Sequence, residues 1–211
     1  MGGFFGAVSK REVVYDVFFG TDYHSHLGTK RGGLAVYNPT DGLQREIHNI
    51  ENTPFRTKFE QDAAEMKGMS AIGCISDTDP QPMLIKSMLG TYAITTVGII
   101  RNMDKLVGEI LKTHGHFEAM GAGRVNQAEL LSMLINQQPS FAEGIKYAQE
   151  RIEGTASILI LTDKGEIYAA RDRLGRLPVI LGQDADGYAV AFESFAFDKL
   201  GYHTVRDLGP G

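Results

Sequence analysis

The hydrophobic period of this 211-residue chain changes twice, and that order limits its folds more than any single motif. Up to Val97, short strand-like apolar runs dominate, with two helical segments among them. Between Asn102 and Ile152, three amphipathic helices follow one another with no strand between them. From Ala156 onward the strand period returns. An alternating parallel sheet would need a helix after each strand, so this order predicts an α+β fold built in layers.

The helices are marked by their starts. Asn102 is placed to cap a helix whose Met103, Leu106, Val107, Ile110 and Leu111 keep the 3,4 spacing. Asn126 with Glu129, and Ser140 with Glu143, have capping-box spacing before the apolar runs Leu130–Leu134 and Ile145–Ile152. Earlier, Val14, Val17 and Phe18 share a helical face. Thr53-Pro54 opens a helix carrying Phe55, Phe59 and Ala63, with Gly68 as its stop. Strands are expected at 3–9, Leu34–Tyr37, Leu43–His48, Met69–Ile75, Met83–Met88 and Thr91–Val97. Four more follow at Ala156–Leu161, Glu166–Ala170, Val179–Leu181 and Tyr188–Ala191. Asn38-Pro39-Thr40-Asp41-Gly42 is a strong hairpin signal, and Thr21–Gly33 reads as a polar loop. With no linker or repeat visible, residues 1–211 are expected to form one domain.

Composition narrows the function. A net charge of −5 and a pI near 5.7, with no basic run longer than Lys30-Arg31, argue against a nucleic-acid surface. No apolar run approaches the ~20 residues needed to span a bilayer, so no membrane partner is expected. A basic start followed by an apolar core, as in a secretory signal, is not found, and Gly6 stands where a myristoylation motif needs Ser or Thr. The one cysteine, Cys74, excludes an internal disulfide and fits a reducing cytoplasm. The first stretch, Met1 to Ser9, is an apolar, glycine-rich run of the kind that forms a buried strand. A buried amino terminus suggests that the first residue does chemistry, yet Gly2 has no side chain to attack anything.

The last third carries a resemblance. Arg171-Asp172-Arg173-Leu174-Gly175-Arg176-Leu177-Pro178, Ala191-Phe192-Glu193-Ser194-Phe195-Ala196-Phe197-Asp198 and Arg206-Asp207-Leu208-Gly209-Pro210-Gly211 resemble blocks of class II glutamine amidotransferases. They look most like the amino-terminal glutaminase domain of the amidophosphoribosyltransferase family, which serves purine synthesis. The resemblance implies the four-layer αββα sandwich of N-terminal nucleophile hydrolases. It also implies that the natural sequence continues past Gly211 into an attached phosphoribosyltransferase module, with no cofactor in this domain.

The same resemblance marks where the site departs from the family. The family begins Met-Cys-Gly-Ile-x-Gly; this chain reads Met1-Gly2-Gly3-Phe4-Phe5-Gly6 and lacks the attacking thiol. Losing a nucleophile costs on the order of a million-fold in rate. Where the family has Gly-His-x-Arg-Tyr, Gly73-Cys74-Ile75-Ser76-Asp77 replaces the arginine that clamps the glutamine carboxylate with Ser76, and places Asp77 beside it. The oxyanion pair Asn-Gly becomes Val97-Gly98, which loses a donor worth about 10²–10³ in rate. The aspartate that holds the glutamine ammonium becomes Gln127. Arg31-Gly32, bordering the glutamine pocket, and Gln81-Pro82 are retained. The implied site is thus a degenerate pocket of Arg31, Gly32, Ser76, Asp77 and Gln127, with Gly2 in the nucleophile slot and Val97-Gly98 in the oxyanion region.

Other residues invite functional readings and have plainer ones. Cys74 reads as a buried strand residue more readily than as a relocated nucleophile. His24-Ser25-His26 and His114-Gly115-His116 lack a further ligand at metal spacing, so no metal is expected. Gly121-Ala122-Gly123 is read as a turn, and Phe192, Phe195 and Phe197 as core. The expected function is a pseudo-glutaminase domain that supports a phosphoribosyltransferase module. The alternatives are a small-ligand module reusing the old pocket, and an active amidophosphoribosyltransferase domain. Homo-oligomers are compatible with all three.

Overall fold

The computed structural model describes residues 2–113, 115–118, 120–121 and 123–211, with backbone alone at 120 and 121. The chain opens with strand β1 (Gly2–Ser9), helix α1 (Val14–Asp22), the hairpin β2 (Arg31–Asn38) and β3 (Gly42–Asn49), helix α2 (Phe55–Glu65) and β4 (Ser70–Ser76). Then come β5 (Met83–Ser87), β6 (Gly90–Ile100), α3 (Met103–Lys112), the two-residue strands β7 (Met120–Gly121) and β8 (Arg124–Val125), α4 (Gln127–Ile135) and α5 (Phe141–Arg151). The last part holds β9 (Gly154–Thr162), β10 (Ile167–Ala170), β11 (Ile180–Gln183), β12 (Gly187–Ala191), α6 (Phe195–Leu200) and β13 (His203–Asp207).

Two antiparallel sheets stack face to face. Among the described residues, one has the order β13-β11-β12-β1-β4-β2-β3 and the other β10-β9-β6-β5. Strand alternation divides the apolar residues into three cores. Phe5, Leu34 and Ile75 face outward and pack with Val17, Phe18, Phe55, Phe59 and Phe197 from α1, α2 and α6. Phe4, Ile72 and Cys74 face inward and meet Ala93, Leu159 and Leu161 of the second sheet. Ile94, Ile158 and Ile160 turn to the other side, against Leu106, Leu130, Leu134 and Ile145 of α3, α4 and α5. Helices, sheet, sheet, helices: the layers follow the αββα order.

Local chemistry explains most elements. The Asn126 side chain accepts from the Ala128 N–H, and Ser140 from the Glu143 N–H, so both helices are capped as their sequences predict. Glu129 does not complete its box from the Asn126 side; its carboxylate accepts from the Glu118 N–H at 2.7 Å. Asn102 is not a side-chain cap either. Its amide donates to Arg151 O and accepts from the Glu153 N–H, tying the start of α3 to the end of α5.

The expected loop at Thr21–Gly33 is shorter than its composition suggested. Helix α1 runs to Asp22, and Arg31–Gly33 already belong to β2, paired with β3 and β4. Its glycines answer to close contacts: a Cβ on Gly32 would lie 2.6 Å from the Phe55 ring, and one on Gly33 1.8 Å from Gln81 O. Strand β13 is exposed throughout, so it carries no period-2 signal. Phe192 and Phe197 are core, but Phe195 is half exposed at the start of α6.

The Arg171–Pro178 block is a backbone clamp. The Arg171 guanidinium donates to Gly175 O, Leu177 O and Leu208 O at 2.7–2.8 Å. The buried Asp172 carboxylate accepts from the Leu174 and Leu177 N–H groups. Together they fold the loop onto itself and onto the last residues of the chain, and thereby place Leu177.

Candidate functional site

A cavity of about 410 Å³ opens where β1, β4, β6 and α4 meet, and Leu177 forms part of its wall. Cross-strand register builds its floor. Gly2 of β1 and Arg31 of β2 are both paired with Ser76 of β4, so these three residues form one row on the inward face. From the second sheet, Thr96, Val97, Gly98 and Ile100 line the opposite side, and Gln127 at the first turn of α4 closes the end.

Of the residues singled out from the sequence, Gly2, Ser76, Val97, Gly98 and Gln127 all line this cavity. The other three do not. Arg31 shares the row but lies one strand beyond the lining, and Gly32 faces Phe55 and Phe59 in the outer core. Asp77 turns its carboxylate to the Thr29 N–H at 2.7 Å. Burial works to raise the Asp77 pKa, but its hydrogen bonds and the nearby Lys30 hold it below the usual carboxylate range.

Each lining position has a definite local job. A Cβ built on Gly2 would stand 2.2 Å from Ile75 O, so the β1–β4 contact is fitted to a residue without a side chain. The Ser76 hydroxyl accepts from the Thr78 and Asp79 N–H groups and holds the turn that leaves β4. The Gln127 side chain accepts from the Ile100 N–H at 3.4 Å. Among the described residues no strand pairs with β6 beyond Ile94 on its β5 side, and its N–H groups alternate in direction. Thr96 N–H points to Gln81 Oε1 and Ile100 N–H to Gln127 Oε1. The Gly98 N–H, midway between them, therefore points to the same open edge, into the cavity.

Sequence reasoning missed Asp79. It lies two residues past Asp77, lines the cavity and is only 9% exposed. One carboxylate oxygen accepts from the Gln127 N–H at 3.3 Å, at the amino end of α4. Asn126 fastens the same junction by donating to Pro80 O. The available signal was the run Asp77-Thr78-Asp79 between a strand and a Pro-Gln-Pro turn, in which either aspartate could have faced inward.

Cys74 is fully buried on β4, and burial pushes its thiol up to about 12, so it is neither accessible nor readily ionised. His24 is also buried. Its Nδ1 meets Gly20 O at 2.6 Å and its Nε2 meets the Glu193 N–H at 3.1 Å. A carbonyl only accepts and an amide only donates, so the proton sits on Nδ1 and the ring is a neutral structural link. His26 pairs with Glu193 and His116 with Glu118. His114 and Ala122 lie outside the described residues. Among the described residues, donors from three metal-ligating side chains approach within 4.8 Å at Glu46, His48 and Asp62. That group lines no part of the cavity, and His48 and Asp62 form an ion pair at 2.7 Å.

Comparison with known proteins adds context. Residues 68–199 match the sequence profile of the glutamine amidotransferase domain. Amidophosphoribosyltransferases of Methanothermobacter thermautotrophicus and Bacillus subtilis are 27% and 26% identical, over 99% of this chain in each case. They are matched over 45% and 44% of their own length, so the chain spans about half of these relatives. The solved glutamine phosphoribosylpyrophosphate amidotransferase from B. subtilis, complexed with ADP and GMP, superposes with a TM-score of 0.87 at 24% identity, covering 99% of this chain and 46% of that one. A glutamine aminotransferase class-II domain protein from Silicibacter pomeroyi superposes at 0.57 and 14%, covering 99% and 92%. The fold is that of the N-terminal nucleophile hydrolase type.

Proposed function

Since this chain belongs to the glutamine amidotransferase domain family, we propose that it is a pseudo-glutaminase: a domain that keeps the family's fold and cavity without hydrolysing glutamine. The observation that carries this reading is the cavity's composition. Its lining contains no cysteine, and its serine and threonine hydroxyls have no histidine among the described lining residues to act as base. Gly2 occupies the row where the family's nucleophile is expected, and the one thiol of the chain is sealed in the core. Ser76 spends its oxygen on a turn, and Val97 offers no side-chain donor.

In this reading the domain supports an attached or associated phosphoribosyltransferase module, as suggested by relatives twice its length named amidophosphoribosyltransferase. Its place would be in the cytoplasm. No helix among the described residues is long and apolar enough to cross a membrane, which is compatible with that setting. The second reading, a ligand-binding module, is favoured by the cavity itself, which stays open and retains the Asp79 carboxylate and the Gly98 N–H.

The deciding experiment is ammonia release from L-glutamine by the purified protein, followed by a coupled dehydrogenase assay. No release above buffer is expected at enzyme concentrations where a working glutaminase would exhaust the substrate. Sustained turnover that a second purification does not remove would overturn the proposal.

A further inference from the structure

The charges of the cavity are unevenly placed. Among its described lining residues only Asp79 and Arg124 are charged. Arg124 is exposed, on β8 at the rim shared with a neighbouring cleft. Asp79 is more than nine-tenths buried. One of its oxygens is met by the Gln127 N–H; the other has no hydrogen-bond or ion-pair partner among the described residues. Asp79 lines the cavity, and this second oxygen is not among the sealed unsatisfied atoms. A carboxylate this deep without a counter-ion is costly, and a cation entering the cavity would offset that cost.

The surroundings restrict what the cation can be. Val97, Ile100, Met103 and Leu177 give an apolar wall beside Asp79. The one site on the floor where an anion clamp could stand is Ser76, whose oxygen already accepts two backbone N–H groups. Among the described lining residues a ligand carboxylate would find no buried cation. The Gly98 N–H offers one neutral donor on the facing strand. We propose that this cavity binds a small organic amine, ammonium group inward on Asp79 and aliphatic part along the apolar wall. The proposal deepens the pseudo-glutaminase reading and rests on it, since a cavity that no longer processes glutamine is free to hold another ligand.

Titration of the purified protein with n-butylamine, L-glutamine and glutarate, followed by calorimetry or by NMR of the Ile100 and Gln127 amides, tests it. Saturable binding of butylamine is expected, with glutarate inert and glutamine at least ten-fold weaker than the amine. Asp79→Asn keeps an acceptor for the Gln127 N–H and should fold, which its melting curve would check; it should weaken butylamine at least ten-fold. Absence of saturable butylamine binding, equal binding by Asp79→Asn, or a preference for glutamine over the amine would each overturn the proposal. Ammonia release measured on the same samples keeps the two ideas apart. Release from glutamine sinks the pseudo-glutaminase reading whatever the amine does, and amine indifference without release sinks only the ligand assignment.

Discussion

At the scale of single residues, Gly2 and Cys74 make opposite points about where a thiol could act. A thiol at position 2 looks like a simple addition, but the backbone there is fitted to a residue without a side chain. A Cβ there meets Ile75 O, which belongs to a central strand and cannot swing aside as a side chain would. Gly2→Cys is therefore expected to lower stability by ~1–3 kcal/mol and, on the pseudo-glutaminase reading, to release no ammonia from glutamine, because Ser76, Val97 and Gln127 would still line the cavity. Denaturant titration and the coupled assay on the same preparation would check both parts, and turnover in the variant would show that the other positions are less damaging than argued. Cys74 has a thiol but no access. A neutral thiol with a pKa pushed up to about 12 inside a closed core should not react with a disulfide reagent in native buffer and should react fully in denaturant. Rapid native labelling would mean that the β1–β4–β2 row opens readily.

Among the elements, the Arg171–Pro178 loop shows how far sequence could lead. Its motif was recognisable and pointed to the family, but its physical task was not legible until Arg171 was seen holding carbonyls of Gly175, Leu177 and Leu208. Replacing it by Met keeps the aliphatic stem and leaves those carbonyls without their donor. Arg171→Met should cost about 2–4 kcal/mol, with proteolysis accelerating first between 171 and 178; an unchanged denaturation midpoint would refute the clamp. The same contrast runs through the fold. A short apolar run placed Phe4 and Phe5 in a buried strand, and capping signals found α4 and α5, because these are local effects. Strand β13 and the true start of β2 at Arg31 depend on pairing with distant strands, and polar composition hid them. In the site, Gly2, Ser76, Val97, Gly98 and Gln127 were found through a family frame that also named Arg31, Gly32 and Asp77 outside the lining, while Asp79 was missed because a turn decides which of two nearby aspartates faces inward.

For the molecule as a whole, one acid-sensitive point is expected where the outer helical layer joins the first sheet. His24 sits there, between the end of α1 and the turn that follows β12, against Gly3 on the strand that carries Gly2. Burial is the largest influence on it and lowers its pKa below the ordinary histidine value of about 6.5; the Gly20 carbonyl and Glu193 oppose that, and His26 adds to it. The unfolded chain therefore binds a proton that the folded one refuses. Stability is fully present above about pH 6.5 and falls as pH drops from there toward the lower folded-state value, with a slope of up to about 1.4 kcal/mol per pH unit for one group. Asp77 and Asp184, both held below the usual carboxylate range, begin to matter only at more acid pH. Urea unfolding at pH 7.5, 6.5 and 5.5 should show this loss, and His24→Gln, whose amide can both donate and accept, should flatten it while costing stability at pH 7.5. A wild-type curve that is flat across that window would mean that His24 charges without breaking its link to Glu193. In that case the junction holding Gly2 and Gly3 in place would be looser than the packing of these two layers requires.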